Sequence, residues 1–262
     1  MSGLKIPKAS SIYKPNLLLN GDFQIWQRGA SFNFEANTET RYTADMWYVW
    51  GYAGLIYKVE NGIAINGSTR LSQFIEKLKV GKNYTLSLSI NGKEYSYTFK
   101  GGSTYNNRRV HCNVLDKYDR IEIDVNNETI NWVQLVEGTT APSHVKEDCA
   151  TALLRCQKKL IVIDSGDRYL DIGMFHGYDN IVFLMSQTNQ MFMDNYPTVN
   201  FIGQGLTLFA INGSSNIEIS NPKIVFRNYQ LVLLETPNYI NNISGLWQLK
   251  PNCKIIMSCE PL

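Results

Sequence analysis

A strict alternation of apolar and polar residues, interrupted by one tight turn, limits the fold of this chain more than any other feature. In YTLSLSI, residues 84–90, every second residue is apolar, and in KEYSYTF, residues 93–99, every second residue is aromatic from Tyr95 onward. The dipeptide Asn91-Gly92 between them is a strong hairpin signal. Because successive side chains of a strand point to opposite faces, the segment predicts a half-buried β-hairpin.

Short apolar runs separated by Asn, Gly and Pro recur along most of the chain. RIEIDV, residues 120–125, alternates again, and Asn126-Asn127 is predicted to turn the chain into TINWVQLV, residues 129–136. After residue 164 the runs are NIVFLM, PTVNFI, LTLFAI, NIEI, KIVF, LVLLE and CKIIM. Strands this short, joined by turn residues, favour antiparallel sheets over units that alternate strand and helix.

One segment has the pattern of a helix. SHVKEDCATALLRCQKKL, residues 143–160, contains no Gly or Pro, begins with Ser143 ahead of an acidic turn and ends in basic residues. Its apolar residues include Cys149, Leu153, Cys156 and Leu160. Spacings of four, three and four place them on one seam. The seam predicts packing against the sheet of the same domain, and packing against copies of the same helix is the alternative.

The fold class predicted from these patterns is all-β, with two antiparallel, jelly-roll-like β-sandwich domains joined by one short α-helix. A length of 262 residues exceeds the usual size of one domain. The predicted parts are an N-terminal attachment arm (1–15), a first sandwich (16–145), a linker helix (146–164) and a C-terminal β-sandwich domain (165–262).

Charge and cysteine content argue against several classes of protein. The net charge is +2, from 25 basic and 23 acidic residues, so neither nucleic acid nor an anionic membrane is predicted as a partner. The pair Arg108-Arg109 beside Tyr105 is predicted to lie in a solvated loop. Five widely spaced cysteines without a CxxC pair indicate neither a disulfide framework nor a zinc site. No apolar run predicts membrane insertion or a signal peptide, so we expect folding in a cytoplasm or export without a cleaved signal.

The sequence contains no recognisable catalytic motif. Its three histidines are far apart, and it has no nucleophile elbow, phosphate loop or dinucleotide fingerprint. A glycosidase is the alternative, because glycoside hydrolysis needs two carboxylates that flank the bond, and the acidic pairs Asp164/Asp167 and Asp119/Asp124 could supply them. Acidic pairs in loops are common, so we expect a protein that is not an enzyme and that has no cofactor.

Four motifs follow one another in a specific order. They are NLLLNGDFQIWQRG, YTADMW, RLSQFIEKLKVGKNYTLSLSI and VQLVEGTTAPSHVKEDCATALLRCQKKL, at residues 16–29, 42–47, 70–90 and 133–160. In this order they resemble a family of bacteriophage and prophage tail-fibre or receptor-binding proteins whose first domain is a carbohydrate-binding-module-like jelly roll. The resemblance is weaker after residue 160, where Pro197-Thr198-Val199 stands in place of a family strand. The chain departs from the family at Met46, and at Lys159 and Leu160.

The resemblance implies a virion protein, assembled in the cytoplasm of a bacterial host, that mediates host attachment as a homotrimer. It implies that the N-terminal arm binds other virion proteins and that the partner outside the particle is a host cell-surface glycan, bound without catalysis. The alternatives are a structural virion protein (a capsid decoration, head fibre or collar) and a polysaccharide depolymerase. Related modules often hold calcium, but the corresponding places look like Gln24 and Gln134, which are weak ligands, so no metal is predicted.

The stretch YTADMWYVWGY, residues 42–52, contains five aromatic residues. If it is a strand, Trp47 faces the core near Phe23 and Trp26, and the opposite face presents further rings in a row. These rings, the first glycan-binding candidates, are Tyr48, Trp50 and Tyr52. Aromatic rings stack on the apolar faces of sugars, which makes the row a plausible glycan platform. The alternative is that a second layer of chain or a neighbouring subunit covers this face.

Two further glycan-binding candidates lie in the C-terminal part of the chain. Tyr178 and Trp247 stand in segments rich in Gly and Asn, which predict connections between strands. Because recognition residues are often carried on such connections, both residues are included as candidates.

Overall fold

The structure of the protein is a computed structural model. The part of the chain that it describes is all-β with a single helix. It divides into two compact units, Met1–Leu153 and Leu154–Leu262. The residues described are 14–34, 41–50, 54–165, 167–168, 170–176, 182–184, 198–203, 205–210, 217–220, 222–227, 230–233 and 244–259. The all-β, antiparallel prediction is confirmed, whereas the bounds of the four predicted parts stay predictions. No helix in these ranges has the length and hydropathy that crossing a membrane requires.

Ten strands, all paired antiparallel, make up the described part of the first unit. They are β1 Ser31–Phe34, β2 Arg41–Tyr42, β3 Tyr48–Trp50, β4 Gly54–Val59, β5 Gly62–Ile75, β6 Asn83–Ile90, β7 Lys93–Lys100, β8 Tyr105–Asn106, β9 Val110–Val114 and β10 Asp119–Glu137. The two longest, β5 and β10, pair with each other along most of their length.

Both long strands take part in two layers, which makes the first unit a β-sandwich. One layer has the order β1-β4-β5-β10-β6-β7 and contains the first part of β5, which pairs with β4, and residues 130–137 of β10, which pair with β6. The other has the order β2-β3-β5-β10-β9-β8 and contains the last part of β5, which pairs with β3, and residues 119–123 of β10, which pair with β9. Inward side chains of both layers form one core, with Ile121, Ile123 and Leu135 fully buried.

The predicted hairpin is confirmed as β6 and β7. Asn91 and Gly92 join the strands with φ angles of 50° and 78°, the left-handed conformation that this turn requires. The strand β6 is more buried than predicted, because its polar face is also covered. Thr85 lies on that face, and its hydroxyl donates a hydrogen bond to the carbonyl of Gly138 at 2.8 Å.

Trp47 lies in the core beside Phe23, as predicted. Its indole is fully buried, and the two ring centroids are 5.1 Å apart. The indole nitrogen donates to the carbonyl of Asn20 at 3.1 Å, so the polar edge of the buried ring is satisfied. Trp26 is half-buried against the same core and stacks on Phe32 at 6.2 Å.

The helix α1, Cys149–Gln157, is shorter than predicted. Asp148, rather than Ser143, caps its first turn, because the Asp148 carboxylate accepts hydrogen bonds from the backbone nitrogen (3.0 Å) and the hydroxyl (3.2 Å) of Thr151. Residues 141–148 have no regular secondary structure. Ser143 therefore lies outside the helix, and so do the acidic residues Glu147 and Asp148 that were predicted to form its first turn.

The predicted apolar seam of the helix is wrong at both ends. Ala152 and Cys156, four residues apart, are the buried positions, whereas Cys149 is exposed. Leu160 is buried but belongs to the next strand, where it pairs with Ser258. Because the helix begins only at Cys149, Ala152 and Cys156 face inward instead of the predicted seam.

The described part of the second unit contains ten further strands in three antiparallel sheets. They are β11 Leu160–Asp164, β12 Leu170–His176, β13 Val182–Leu184, β14 Thr198–Ile202, β15 Leu206–Ala210, β16 Ile217–Ile219, β17 Ile224–Arg227, β18 Gln230–Leu233, β19 Ser244–Leu249 and β20 Lys254–Ser258. The sheet orders are β11-β20-β14, β12-β19-β15-β16 and β13-β18-β17. All seven predicted strands occur, and β11, β12 and β19 were not predicted.

Candidate functional site

A cleft of about 420 Å³ lies in the first unit where β10 bulges. We call it the bulge cleft. The lining residues that bear on its chemistry are Tyr97, Asn107, Arg108, Arg109, Asp124 and Glu128. They come from β7, from the β8–β9 turn and from β10, so three separate parts of the sandwich meet there.

The bulge replaces the turn predicted at Asn126-Asn127. The strand β10 runs without interruption through both residues, but its register against β5 shifts between Asn126 and Glu128. Asn127 takes a φ of 51°, and its side-chain oxygen accepts a hydrogen bond from the backbone nitrogen of Gly67 at 2.6 Å. Asn tolerates this left-handed conformation better than most residues. A bulge bends its strand and redirects side chains, and here it brings Glu128 to the cleft.

The turn between β8 and β9 supplies the two arginines. The backbone nitrogen of Asn107 donates to the carbonyl of Val110 at 2.9 Å, and the carbonyl of Arg109 accepts from the backbone nitrogen of Asp124 at 2.8 Å. Arg108 is exposed, as a solvated loop predicts, but Arg109 is not. Its side chain is half-buried, and Nη1 lies 2.8 Å from Oε2 of Glu128. The solvated-loop prediction is therefore wrong for Arg109.

Both carboxylates of the cleft already have cationic partners. Glu128 accepts from Arg109, and this hydrogen bond is the main reason why the pKa of the Arg109 guanidinium is raised. Asp124 lies 2.8 Å from Nε of Arg70 and 2.7 Å from Nε2 of His111. Partial burial alone would raise the pKa of Asp124, but the hydrogen bonds with His111 and Arg70 outweigh it and lower the pKa. Asp124 is thus ionised at neutral pH.

A network of charged side chains continues from Asp124 over the outer face of the same layer. Nη1 of Arg70 lies 3.2 Å from Glu122, which is itself almost fully buried. Nε of Arg120 lies 2.8 Å from the other oxygen of Glu122, and the Asn113 amide donates to Glu122 at 2.8 Å. This network holds Arg70, and through it Asp124, in a fixed position beside the cleft.

Tyr48 lies at the far end of this face, but it is not exposed. Only 2% of its surface is accessible, because its ring stacks on Phe74 at 5.1 Å and meets Tyr42 edge-on at 5.5 Å. Burial raises the pKa of the Tyr48 hydroxyl to about 12. The prediction that Tyr48 belongs to an exposed row is wrong, because rings on the neighbouring strands β2 and β5 pack against it. The backbone of Trp50 pairs with Arg70; the Trp50 side chain and all of Tyr52 lie outside the described residues.

The candidates in the C-terminal part have different outcomes. Trp247 is not in a connection, because it belongs to β19 and its backbone pairs with Gly173 and Leu208 on the two neighbouring strands. Its neighbour Gly245 and the preceding asparagines suggested a loop, but pairing on both sides stabilises a strand there. Tyr178 lies outside the described residues.

The acidic pair Asp119/Asp124 does not form a catalytic pair of carboxylates. The two residues are five positions apart on β10, so their side chains leave opposite faces of the strand. Asp119 is buried on the inner side, where it accepts from Nζ of Lys77 and from the backbone nitrogen of Leu78, both at 2.9 Å. In the other pair, Asp167 is exposed, and the Asp164 side chain lies outside the described residues.

No group of three or more His, Cys, Asp or Glu side chains in the described ranges could hold a metal ion. Gln24 stands at the first position where related modules have a calcium ligand, and its side-chain amide donates a hydrogen bond to the carbonyl of Glu147 at 2.8 Å. At the second, Gln134 is buried in β10. The prediction that the protein uses no metal and no cofactor stays a prediction.

The bulge cleft can bind a polar ligand through several kinds of contact at once. Tyr97 offers an aromatic ring, Asn107 an amide, and the arginines offer charged donors. Nothing in the sequence indicates that Asp124 and Glu128 share a cleft, although the Asn126-Asn127 signal lies between them. No protein-family model and no curated protein matches the sequence.

Proposed function

We propose that this protein is a bacteriophage virion protein that binds carbohydrate on the surface of the host cell and breaks no bond. The bulge cleft is the observation that carries the binding part of the proposal. Tyr97 supplies a ring on which the apolar face of a sugar stacks, while Asn107 and the charged groups around it bind hydroxyls. A volume of about 420 Å³ is within the range of small-ligand sites.

The state of the cleft carboxylates supports binding without catalysis. Glycoside hydrolysis needs one protonated carboxyl group as an acid, which in most such enzymes requires a raised pKa. The pKa of Asp124 is lowered, and Glu128 is engaged by Arg109. Both groups therefore act best as acceptors that fix the arginines in place.

The virion part of the proposal is supported by the order of the four sequence motifs. Two of them meet in the fold, because the Gln27 amide of the first donates to the Asp45 carboxylate of the second at 2.6 Å. A homotrimer would multiply weak glycan affinity through avidity, and an N-terminal arm would attach it to the particle. The structural role in a capsid decoration, head fibre or collar is the alternative, and it requires no glycan binding.

Binding of the purified full-length protein to an array of bacterial surface polysaccharides tests the proposal. We expect at least one polysaccharide to bind, and binding to weaken in Asn107→Ala, whose side chain is exposed, and in Tyr97→Leu, which keeps apolar volume but removes the ring. Lys82→Ala, an exposed residue outside the cleft, is the matched control and should bind like wild type.

Two outcomes would contradict the proposal. If no polysaccharide binds and the protein does not adsorb to bacterial envelopes, the structural virion role is the better explanation. If the bound polysaccharide releases new reducing ends, the protein is a depolymerase and the non-catalytic part is wrong. The circular dichroism spectrum of each variant establishes that a loss of binding does not reflect unfolding.

A further inference from the structure

We propose that the bulge cleft selects a saccharide that carries an anionic group, and that Arg108 binds that group. This inference rests on the carbohydrate-binding function proposed above and names the class of sugar. Its starting point is the charge of the cleft, which contains the two arginines and the carboxylates Asp124 and Glu128. The charges of these four side chains sum to zero, so the attraction of the cleft for a charged ligand depends on which of them are already paired within the fold.

Three of the four charged side chains are paired within the fold. Glu128 lies 2.8 Å from Arg109, and Asp124 lies 2.8 Å from Arg70 and 2.7 Å from His111. Because Arg70 adds a positive charge from outside the cleft lining, the neighbourhood of Asp124 is not short of cations. A ligand that approaches the cleft therefore does not meet an unpaired carboxylate.

Arg108 is the remaining charge. Its side chain is exposed and lines the cleft, and its guanidinium has no hydrogen-bond or ion-pair partner among the described residues. The turn that carries it is held on both sides, by the bond from Asn107 to Val110 and by the bond from Asp124 to Arg109. The backbone position of Arg108 is thus fixed while its charge stays available.

A guanidinium recognises carboxylate and phosphate through two parallel hydrogen bonds. A sugar ring stacked on Tyr97 would place such a substituent within the same cleft as Arg108, next to the amide of Asn107. A neutral sugar would leave Arg108 hydrated by water and would gain no charged pair with it. Carboxylate and phosphate share this chemistry, and bacterial surface polysaccharides that carry either group serve as separate probes.

The test is an array that contains bacterial polysaccharides rich in uronic acid, polysaccharides substituted with phosphate, and neutral polysaccharides. We expect wild-type protein to bind anionic polymers more tightly than neutral ones, and the affinity of Arg108→Ala for the anionic polymers to be about tenfold weaker or more, as for loss of a charged hydrogen-bonded pair. Arg108→Lys keeps the charge but loses the planar guanidinium that makes two parallel hydrogen bonds, and it should bind with intermediate affinity. Lys82→Ala removes an exposed cation outside the cleft and should bind like wild type.

Reduction of the carboxyl groups of a bound uronic-acid polymer to alcohols distinguishes the two sources. Loss of binding identifies carboxylate as the group, and retention on phosphate-substituted polymers identifies phosphate. Equal affinity of wild type and Arg108→Ala for the anionic polymers would overturn this inference, yet would leave the proposed function intact if Asn107→Ala still weakened binding. Binding to no polysaccharide at all would overturn both.

Discussion

The carboxylate of Asp45 accepts two hydrogen bonds from Gln27, one from its backbone nitrogen at 2.9 Å and one from its side-chain amide at 2.6 Å. Asp45 is fully buried, and its own carbonyl accepts from the amide of Asn20 at 3.0 Å. The two conspicuous motifs at the start of the chain therefore form one buried polar unit beside Trp47. Their residues support the fold of the first unit rather than a ligand site.

Asp45→Asn is expected to change how stability depends on pH. Burial raises the pKa of Asp45 above 3.8, against the opposing effect of the bonds with Gln27. A raised folded-state pKa means that the folded protein binds this proton more tightly than the unfolded chain. The stabilisation by protonated Asp45 is therefore complete below about pH 4 and is lost as the pH rises through the folded-state pKa.

Urea unfolding of both proteins from about pH 4 to pH 7 measures this effect. The free energy of unfolding of Asp45→Asn, relative to wild type, should increase with pH, because the asparagine never becomes charged. Curves that run parallel over the whole range would show that the charge of Asp45 does not oppose folding.

Gly62→Ala should cost much more stability than Gly92→Ala. Both glycines have a positive φ, of 128° and 78°, so each substitution strains the backbone. At Gly62 an added Cβ would collide with the carbonyl oxygen of Ile130, whereas at Gly92 no atom lies within 4 Å. We expect a loss on the order of 1 kcal/mol at Gly92 and several kcal/mol at Gly62.

Thermal and urea unfolding of the two alanine variants give this comparison. Gly92→Ala is the control for the cost of a left-handed turn position, and the larger loss at Gly62 combines the collision with β10 and the greater strain of a φ of 128°. Equal losses would mean that β5 does not begin against β10 as the pairing of Ile63 with Ile130 indicates.

Local alternation predicted the class of the fold and several elements correctly, such as the hairpin turned by Asn91-Gly92 and the core position of Trp47. It failed where long-range pairing decides the outcome. Asn126-Asn127 has the residues of a turn, but β5 pairs with β10 both before and after these residues and converts the turn into a bulge. Tyr48 alternates with Val49 as an exposed residue would, but Phe74 of a neighbouring strand covers it.

The cleft could not be found by sequence reasoning for the same reason. Tyr97, Arg108 and Asp124 belong to three different elements, and only the pairing of β9 with β10 brings the last two together. The one local signal was Arg108-Arg109. Arg109 is half-buried because it contacts Glu128, which lies nineteen positions further along the chain. That contact requires the bulge in β10 and could not be read from the sequence.

The native cysteines are expected to differ strongly in their reactivity toward alkylating reagents. Cys149 is exposed on the helix, whereas Cys112, Cys156 and Cys253 are buried. Burial also raises the pKa of the Cys112 thiol to about 12, which suppresses the reactive thiolate. A short pulse of iodoacetamide followed by peptide mass spectrometry should label Cys149 first, with Cys259 slower.

Protein unfolded in urea is the control for this labelling, and all five cysteines should react in it at similar rates. Labelling of native Cys112 as fast as Cys149 would be incompatible with its place in the core. Slow labelling of Cys149 would instead support the alternative that copies of the helix pack together along this side.

Tyr48→Phe should remove the tyrosine titration near pH 12 and leave the ring packing in place. The phenylalanine keeps the stack on Phe74, so the folded structure should persist. The wild-type pKa of about 12, compared with 10.0 for the ordinary side chain, means that protonated Tyr48 stabilises the fold below pH 10 and that this contribution is lost between pH 10 and 12. Alkaline unfolding of Tyr48→Phe should therefore depend less steeply on pH than that of wild type.

Phenolate absorbance during a pH titration measures the loss of the Tyr48 titration, and urea unfolding at each pH measures the change in the pH dependence of stability. If Tyr48 instead formed part of an exposed platform, its hydroxyl would titrate near its ordinary value and the two proteins would lose stability in parallel.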